Sequence, residues 1–338
     1  MKLSLPVGCG EARPVGNVSA PLAIFVYAHL DTAAKELLRS TLPAEGVTFV
    51  NKYETADAPA AYREQFRASD ICFGNVPAEW LEGVSRLCWL QLESIGFEYY
   101  LHVRGLPPTL AVTNLKGLFD RPAAETALAG LLALYRGVDV LVTAQTERRW
   151  VCRDLRPRMQ TLHGKRVIIL GHGSIGRMLR RLLEAFECRV QSFARTTSGA
   201  ELRTTADLDR ALPQADIVAC CLPNTRETCG LFGRDRLARL APLAIFVNLG
   251  RGSVVDESAL VDALQSRRLG GAVLDVTVEE PLPAAHPLWG CPNTLIMQHT
   301  GGGYEGELLD KARVFLANFA AFRSGDPLRN VVDLARGY

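Results

Sequence analysis

The chain has 338 residues, of which 48% are hydrophobic and 22% charged, and its formal net charge is only +2. This length is sufficient for two domains with full hydrophobic cores, and the near-neutral charge argues against a nucleic-acid or membrane-binding surface. Nine cysteines without a C-x-x-C pair indicate reduced thiols in a cytoplasmic protein, and they favour neither a disulfide framework nor a metal site.

The N-terminal third of the chain alternates β and α patterns. Residues 1–20 have no sustained apolar segment, so they are interpreted as a flexible tail and not as a signal peptide. Asp31 is a suitable N-cap for the first helix. The alternation predicts a small α/β domain. Its predicted strands are 22–27, 47–50, 71–73 and 89–92, and its predicted helices are 31–40, 59–68 and 77–84.

A glycine-containing turn, Ser94-Ile95-Gly96, follows the fourth of these strands directly. Ligands bind beyond the carboxyl ends of parallel strands, and backbone N–H groups exposed at such a turn can hold a carboxylate. From these residues alone, an ordinary βα turn is an equally good interpretation.

The next segment leads out of the first domain. A short strand at 111–114 is followed by a predicted hinge at Lys116-Gly117. Residues 121–135 are apolar almost throughout, which predicts a helix buried on most sides, between the two domains. Residues 147–163 are polar and are predicted to be irregular.

Residues 165–197 have the pattern of a dinucleotide-binding βαβ unit. An apolar strand at 167–170 runs into Gly171, Gly173 and Gly176, and an amphipathic helix and a second strand at 190–193 follow. In G-x-G-x-x-G the glycines allow the tight turn, the approach of the pyrophosphate and close helix–sheet packing. The helix N-terminus then attracts the phosphates. The alternative is a tight turn in some other parallel α/β domain.

Four more strands are predicted downstream, so this part of the chain has six strands in all. The pattern is that of a doubly wound parallel sheet. An amphipathic helix closes the chain. The four strands are 217–222, 243–249, 271–276 and 294–297, and the helix is 308–322.

Three reactive side chains follow successive strands of this second sheet: Arg251, Glu280 and His299. A guanidinium can bind a carboxylate through two parallel hydrogen bonds. A histidine exchanges protons near neutral pH, and an adjacent carboxylate favours its charged form. Beside a nicotinamide ring, such a trio suits hydride transfer to the carbonyl of a 2-oxo acid. His172, inside the glycine loop, is interpreted as a solvated loop residue.

Five motifs together resemble the D-2-hydroxyacid dehydrogenases, the D-isomer-specific NAD(P)-dependent group that includes glyoxylate and hydroxypyruvate reductases. The resemblance covers the chain from about Ser94 to Gly302, and the small N-terminal domain is similar too. The motifs are LGHGSIG at 170–176, DIVACCLPNTRET at 216–228, VNLGRGSVVDESALVDAL at 247–264, GGAVLDVTVEEPLPAAHPLW at 270–289 and NTLIMQH at 293–299.

The resemblance implies a role for each matching residue. Arg251 would bind the substrate carboxylate and carbonyl, Glu280 would be the acidic partner, and His299 the acid/base and a substrate contact. Backbone N–H groups of Ile95 and Gly96 would bind the substrate carboxylate. The implied cofactor contacts are Gly171, Gly173, Ser174, Ile175, Gly176, Pro223, Thr228 and Asp275, the last with the nicotinamide carboxamide.

The resemblance also implies the organisation of the chain. A Rossmann-type coenzyme domain would span 117–302, and a smaller, discontinuous flavodoxin-like substrate domain would combine 21–116 with 303–338. The active site would lie in a cleft that closes over the substrate, and the coenzyme domains would form a homodimer. Two positions depart from the family pattern: Gln298 replaces the usual proline before the histidine, and Glu187-Cys188 replaces a usual glycine.

The end of the second strand of the βαβ unit predicts the cofactor. NAD-binding members usually have an acidic residue there that hydrogen-bonds the ribose 2′-hydroxyl. Here that position is Ala194, followed by Arg195 and Thr196, which can pair with a 2′-phosphate. NADP(H) is therefore predicted over NAD(H); the alternative is an exposed arginine, with NAD held by other groups.

The sequence thus predicts a cytoplasmic, NADPH-dependent reductase of a small 2-oxo acid, with no nucleic-acid or membrane partner. The alternatives are a non-enzymatic dinucleotide sensor like the corepressors of the same family, an NAD-dependent D-2-hydroxyacid dehydrogenase, and a formate dehydrogenase. The intact Arg251, Glu280 and His299 do not favour the sensor, and nothing specific marks the formate enzyme.

Overall fold

The computed structural model describes residues 22–52 and 60–334. These residues form two compact units, one of residues up to 118 together with those from 305, the other of residues 119–304. Both unit boundaries lie two residues beyond the predicted ones. The predicted tail at 1–20 and the first predicted residue of the second helix, Pro59, lie outside the described residues.

The elements follow one another as parallel strands, most of them joined by helices. In chain order they are β1 (Ile24–Tyr27), α1 (Thr32–Thr41), β2 (Val47–Val50), α2 (Ala60–Arg67), β3 (Ile71–Phe73), β4 (Trp89–Gln91), β5 (Ala111–Thr113), α3 (Asp120–Arg136), α4 (Val138–Thr146), α5 (Cys152–Leu155), β6 (Arg166–Leu170), α6 (Ser174–Ala185), β7 (Arg189–Phe193), α7 (Thr205–Ala211), β8 (Ile217–Cys220), α8 (Arg234–Arg239), β9 (Ile245–Asn248), α9 (Glu257–Gln265), β10 (Gly271–Leu274), β11 (Thr294–Ile296) and α10 (Glu307–Ser324).

The first unit is a parallel sheet in the order β2-β1-β3-β4-β5, which is the flavodoxin-like order. The predicted N-cap is present, because the Asp31 carboxylate accepts the Ala34 N–H at 2.7 Å. Helix α10 packs on this sheet, where the ring of Phe315 stacks on Phe73 and Trp89 with centroids 4.6 and 5.2 Å apart.

One predicted helix of this unit, 77–84, is wrong. Only a single 3-10 turn, Ala78–Trp80, forms there. Gly83 adopts φ +72, which is left-handed and ends any right-handed helix. Trp80 and Leu81 are both buried, so two consecutive side chains enter the core. An amphipathic helix would instead bury residues three or four positions apart.

The second unit is a six-stranded parallel sheet in the order β11-β10-β9-β8-β6-β7. The chain order reverses between β6 and β8, which is where open α/β sheets bind ligands. Leu202 forms an isolated parallel bridge with Phe193, the last residue of β7. The predicted doubly wound α/β fold, with a Rossmann-type coenzyme domain, is confirmed.

Helix α3 packs closely on this sheet, because Gly130 has no side chain. A Cβ there would lie 2.5 Å from a methyl group of Val273. Gly137, in the left-handed conformation, ends α3, and α4 follows without having been predicted. No single helix among the described residues is long and apolar enough to cross a membrane; α3 and α4 reach that length and composition only together, across a 69° bend.

Glu187 has a backbone conformation that explains why the family pattern has a glycine at this turn. Glu187 lies just after α6 with φ +58, a left-handed conformation in which glycine carries no penalty. The turn keeps its hydrogen bonds, since the Cys188 N–H donates to the Leu183 carbonyl at 3.1 Å. The side chain is tolerated there at some cost in strain.

Candidate active site

The glycine loop links β6 to α6 at the carboxyl edge of the second sheet. Gly171 has φ +103, and a Cβ there would lie 3.0 Å from the Cys221 carbonyl oxygen. At Gly176 a Cβ would lie 2.1 Å from the Gly171 carbonyl oxygen, whereas at Gly173 it would meet no atom within 4 Å. Gly173 is the N-cap of α6 and offers no capping side chain to the first-turn N–H groups of Ser174 and Ile175. Open space at an uncapped helix N-terminus fits a pyrophosphate.

The two glycines predict a matched pair of results. We expect Gly176→Ala to lower the free energy of unfolding by about 1–3 kcal/mol, because the helix and the Gly171 carbonyl of the loop must move apart. We expect Gly173→Ala to leave the melting temperature unchanged while weakening dinucleotide binding by about tenfold or more, because its methyl group occupies the ligand's space. Thermal unfolding and fluorescence titration measure the two effects. A Gly173→Ala protein that binds dinucleotide normally would exclude a pyrophosphate at this loop.

The turn after β7 contains the predicted cofactor-selecting residues. Ala194 is buried, and Arg195 and Thr196 are exposed. The nearest carboxylate to Arg195 is that of Glu227, at 3.8 Å and itself half exposed, so the ion pair is long and solvated. A positive, accessible turn at this position fits a phosphate.

Thr228 stabilises the loop after β8. Its hydroxyl donates to the Pro223 carbonyl oxygen at 2.6 Å and accepts the Thr225 N–H at 2.8 Å. Thr228 is buried, so its hydroxyl stabilises the loop from inside. Cofactor contact by Pro223 and Thr228 stays a prediction.

Arg251 follows β9 between two glycines, each of which touches a neighbouring loop. A Cβ at Gly250 would lie 2.4 Å from the Leu222 carbonyl oxygen, and one at Gly252 would lie 2.1 Å from the Thr277 carbonyl. The buried Asn248 holds this turn, since its amide accepts the Gly250 N–H and donates to the Arg251 carbonyl oxygen, both at 3.0 Å. The Arg251 guanidinium donates to the Gly250 carbonyl oxygen at 2.7 Å.

The structure brings Glu280 and His299 into direct contact, with His299 Nδ1 2.6 Å from one Glu280 oxygen. The second Glu280 oxygen accepts the Thr277 N–H at 3.0 Å, which fixes the carboxylate. With Nδ1 held, Nε2 is the nitrogen that can exchange a proton with a ligand. His299 is about half exposed, with 55% of its side-chain surface accessible.

Asp275 organises the loop that presents His299. Its main-chain oxygen accepts the His299 N–H at 2.6 Å, and its carboxylate accepts the Gly301 N–H at 2.9 Å. Burial raises the pKa of Asp275, and the bond from Gly301 partly offsets this effect.

Gln298 and His299 have φ +54 and +56, which proline cannot adopt because its φ is fixed near −65°. The substitution of Gln298 for proline therefore matches the local backbone.

Ile95 and Gly96 belong to the other unit, in the loop after β4. The Gly96 carbonyl accepts the Ser94 hydroxyl at 2.7 Å, and the Ile95 carbonyl accepts the Asn114 amide at 2.8 Å. Within the described residues, the N–H groups of Ile95 and Gly96 have no acceptor. This arrangement agrees with the predicted carboxylate contact, which stays a prediction.

Sequence reasoning misses one residue of the second unit, Asn248, and misjudges another, His172. Asn248 could have been found, because an amide at the end of an apolar strand must be hydrogen-bonded when it is buried. His172 was interpreted as solvated, but it is only partly exposed and its Nδ1 is buried. Its ring lies against the 195–199 turn, which local sequence does not reveal.

Comparisons with known proteins show the family to which this chain belongs. Residues 128–301 match the family model of the D-isomer specific 2-hydroxyacid dehydrogenase NAD-binding domain. Glyoxylate/hydroxypyruvate reductase B of Pectobacterium carotovorum is 33% identical over 298 residues, which cover 85% of this chain and 91% of the relative.

Two solved structures extend the likeness over both units. A D-isomer specific 2-hydroxyacid dehydrogenase family protein of Aeromonas salmonicida has a TM-score of 0.79 and 30% identity, covering 93% of this chain and 100% of that one. The D-isomer specific 2-hydroxyacid dehydrogenase of Xanthobacter autotrophicus, in complex with NADPH and MES, has a TM-score of 0.77 and 28% identity, covering 94% and 100%. The protein therefore belongs to the D-isomer-specific 2-hydroxyacid dehydrogenase family and is an NAD(P)-dependent enzyme.

Proposed function

We propose that this enzyme reduces a small 2-oxo acid to the D-2-hydroxy acid with NADPH, as a glyoxylate or hydroxypyruvate reductase. The contact between Glu280 and His299 carries the proposal, because it supplies an oriented proton donor at the carboxyl edge of a dinucleotide-binding sheet. The relative from Pectobacterium carotovorum, named for both substrates, supports the substrate class.

The reduction needs a hydride at the carbonyl carbon and a proton at the carbonyl oxygen. A bound nicotinamide supplies the hydride. Arg251 holds the substrate carboxylate and polarises the carbonyl. His299 donates its Nε2 proton to the oxygen as negative charge develops there, and Glu280 holds the ring through Nδ1. Asp275 lies beside His299 and would receive the nicotinamide carboxamide.

The preference for NADPH rests on the turn after β7. Ala194 leaves no carboxylate at the strand end to repel a 2′-phosphate, and Arg195 and Thr196 are exposed there. The relative from Xanthobacter autotrophicus, solved in complex with NADPH, supports the same choice. Ser174, Ile175 and Gly176 would bind the pyrophosphate through their N–H groups.

A double variant tests the cofactor preference. We expect the native enzyme to have a higher kcat/KM with NADPH than with NADH. Ala194→Asp with Arg195→Ser should reverse this ratio, by about a hundredfold, since it removes one charge-assisted bond and adds a repelling carboxylate. Initial rates with glyoxylate and hydroxypyruvate provide the measurement. A native enzyme that prefers NADH would contradict the proposal.

A homodimer and a cytoplasmic location complete the proposal. Helix α4 exposes Val138, Leu141 and Val142, and Trp150 nearby is 95% exposed. Such an apolar surface on the coenzyme unit supports contact with a second copy of the chain. Every cysteine in the described residues is free, which supports a reducing compartment.

The other functions are not favoured. A non-enzymatic dinucleotide sensor has no need of a carboxylate fixed against a histidine, yet the 2.6 Å contact is present. The NAD-dependent alternative is the less favoured one because of Ala194 and Arg195. No feature of the described site residues favours a formate dehydrogenase.

A further inference from the structure

A second arginine reaches the turn that follows β7. The Arg203 guanidinium donates from Nη1 to the Thr197 carbonyl oxygen at 2.7 Å and from Nη2 to the Arg195 carbonyl oxygen at 3.1 Å. Both acceptors are main-chain atoms of the turn that contains Arg195 and Thr196. Arg203 therefore holds the main chain of this turn through two hydrogen bonds.

The position of Arg203 is itself fixed by flanking backbone bonds. Leu202 pairs with β7, since its N–H donates to the Ser192 carbonyl oxygen and its own oxygen accepts the Ala194 N–H, both at 3.0 Å. On the other side, the Asp207 carboxylate accepts the N–H groups of Arg203 and Thr204 at 3.2 and 2.9 Å. Hydrogen bonds thus hold the main chain on both sides of the Arg203 side chain.

The Arg203 guanidinium is held by main-chain oxygens. In the described part of the chain, its guanidinium bonds only to carbonyl oxygens and has no carboxylate partner. Arg195 has only the long contact of 3.8 Å with Glu227. Two guanidinium groups therefore lie at this turn, with the Glu227 carboxylate 3.8 Å from one of them, and they leave a net positive charge that a dianionic phosphate would bind.

The same turn is in contact with the glycine loop. The His172 ring lies against Gly199, with Nε2 3.4 Å from the place of a Gly199 Cβ. The glycine loop and the 195–199 turn therefore lie side by side, so a dinucleotide with its pyrophosphate at α6 can extend its adenosine ribose toward the turn.

We propose that Arg203 is a specificity-determining residue for NADPH: it positions the 195–197 turn and adds a second positive charge for the 2′-phosphate. The inference rests on the proposed NADPH preference and goes beyond it, because Arg203 lies outside the strand-end position that usually selects the cofactor. Its removal should weaken NADPH binding while NADH binding is kept.

Direct binding to the full-length protein, without substrate, tests this role. Dissociation constants for NADPH and NADH are measured by titration calorimetry for the native protein, Arg203→Met and Arg203→Lys. Arg189→Met serves as the control, because it removes one exposed positive charge from the opposite end of β7. We expect Arg203→Met to weaken NADPH binding about tenfold, or about 1.4 kcal/mol, with NADH unchanged. Arg203→Lys keeps the charge but not the contact with two carbonyl oxygens. Its dissociation constant for NADPH should lie between those of the native protein and Arg203→Met.

The dissociation constants of the native protein and its variants distinguish three outcomes. A tenfold, NADPH-selective loss in Arg203→Met, with no loss in Arg189→Met and unchanged NADH binding as the proof of folding, supports the assignment. If the native protein prefers NADPH and Arg203→Met keeps the full preference, the role of Arg203 is overturned and the proposed function stands. If the native protein binds both cofactors equally, the proposed NADPH preference fails, and the role of Arg203 with it.

Discussion

Replacement of His299 by alanine is expected to lower kcat for 2-oxo acid reduction by about a hundredfold to ten-thousandfold, the usual contribution of a positioned general acid. The carbonyl oxygen would then have to take its proton from water. Because the His299 main chain is held by its own bond to Asp275, the loop should persist without the ring. Steady-state rates with saturating NADPH measure the loss.

Glu280→Gln is the matched control for His299→Ala. The amide oxygen can still accept the Thr277 N–H, so the loop should keep its shape while the charge beside the imidazole is lost. We expect a smaller loss of kcat than in His299→Ala, and an unchanged dissociation constant for NADPH in both variants. A His299→Ala enzyme within tenfold of native kcat would exclude this residue as the proton donor.

Replacement of Arg251 by alanine should lower kcat/KM by about a thousandfold, or about 4 kcal/mol, because a charge-assisted contact to the substrate is lost as the carbonyl becomes negative. The turn should still form, since the Asn248 amide holds the main chain on both sides of Gly250. Initial rates at varied 2-oxo acid concentration give the value.

Arg251→Lys separates charge from geometry. A lysine keeps the positive charge but cannot form two parallel bonds to a carboxylate. We therefore expect an efficiency between those of the native enzyme and Arg251→Ala, with KM raised in both variants. Near-native kcat/KM in Arg251→Ala would remove Arg251 from the reaction.

The sequence was most informative where one physical requirement decides the residue type. Gly171 needs a positive φ and Gly176 lies against the Gly171 carbonyl, so the glycine spacing between a strand and a helix predicted the dinucleotide loop. Most of the parallel strands are buried and largely apolar, so their number and the α/β class could be predicted as well. Because parallel strands end at one edge, the predicted neighbourhood of Glu280 and His299 followed.

Features that depend on distant parts of the chain could not be predicted. The failure of the helix at 77–84 depends on the φ of Gly83 and on two adjacent side chains entering the core. Arg203 reaches the 195–197 turn only because Leu202 returns to pair with β7. The left-handed backbone at Gln298 and His299 is fixed by hydrogen bonds to Asp275, which lies 24 residues before His299.

The central claim, that this enzyme reduces a small 2-oxo acid with NADPH, is tested most directly by one panel of initial rates. The purified full-length protein is mixed with NADPH and, in turn, glyoxylate, hydroxypyruvate, pyruvate, phenylpyruvate and branched 2-oxo acids, and the loss of nicotinamide absorbance is followed. The predicted result is rapid oxidation of NADPH with glyoxylate or hydroxypyruvate, abolished in His299→Ala. Oxidation of NADPH by none of these acids would contradict the claim and favour a dinucleotide sensor.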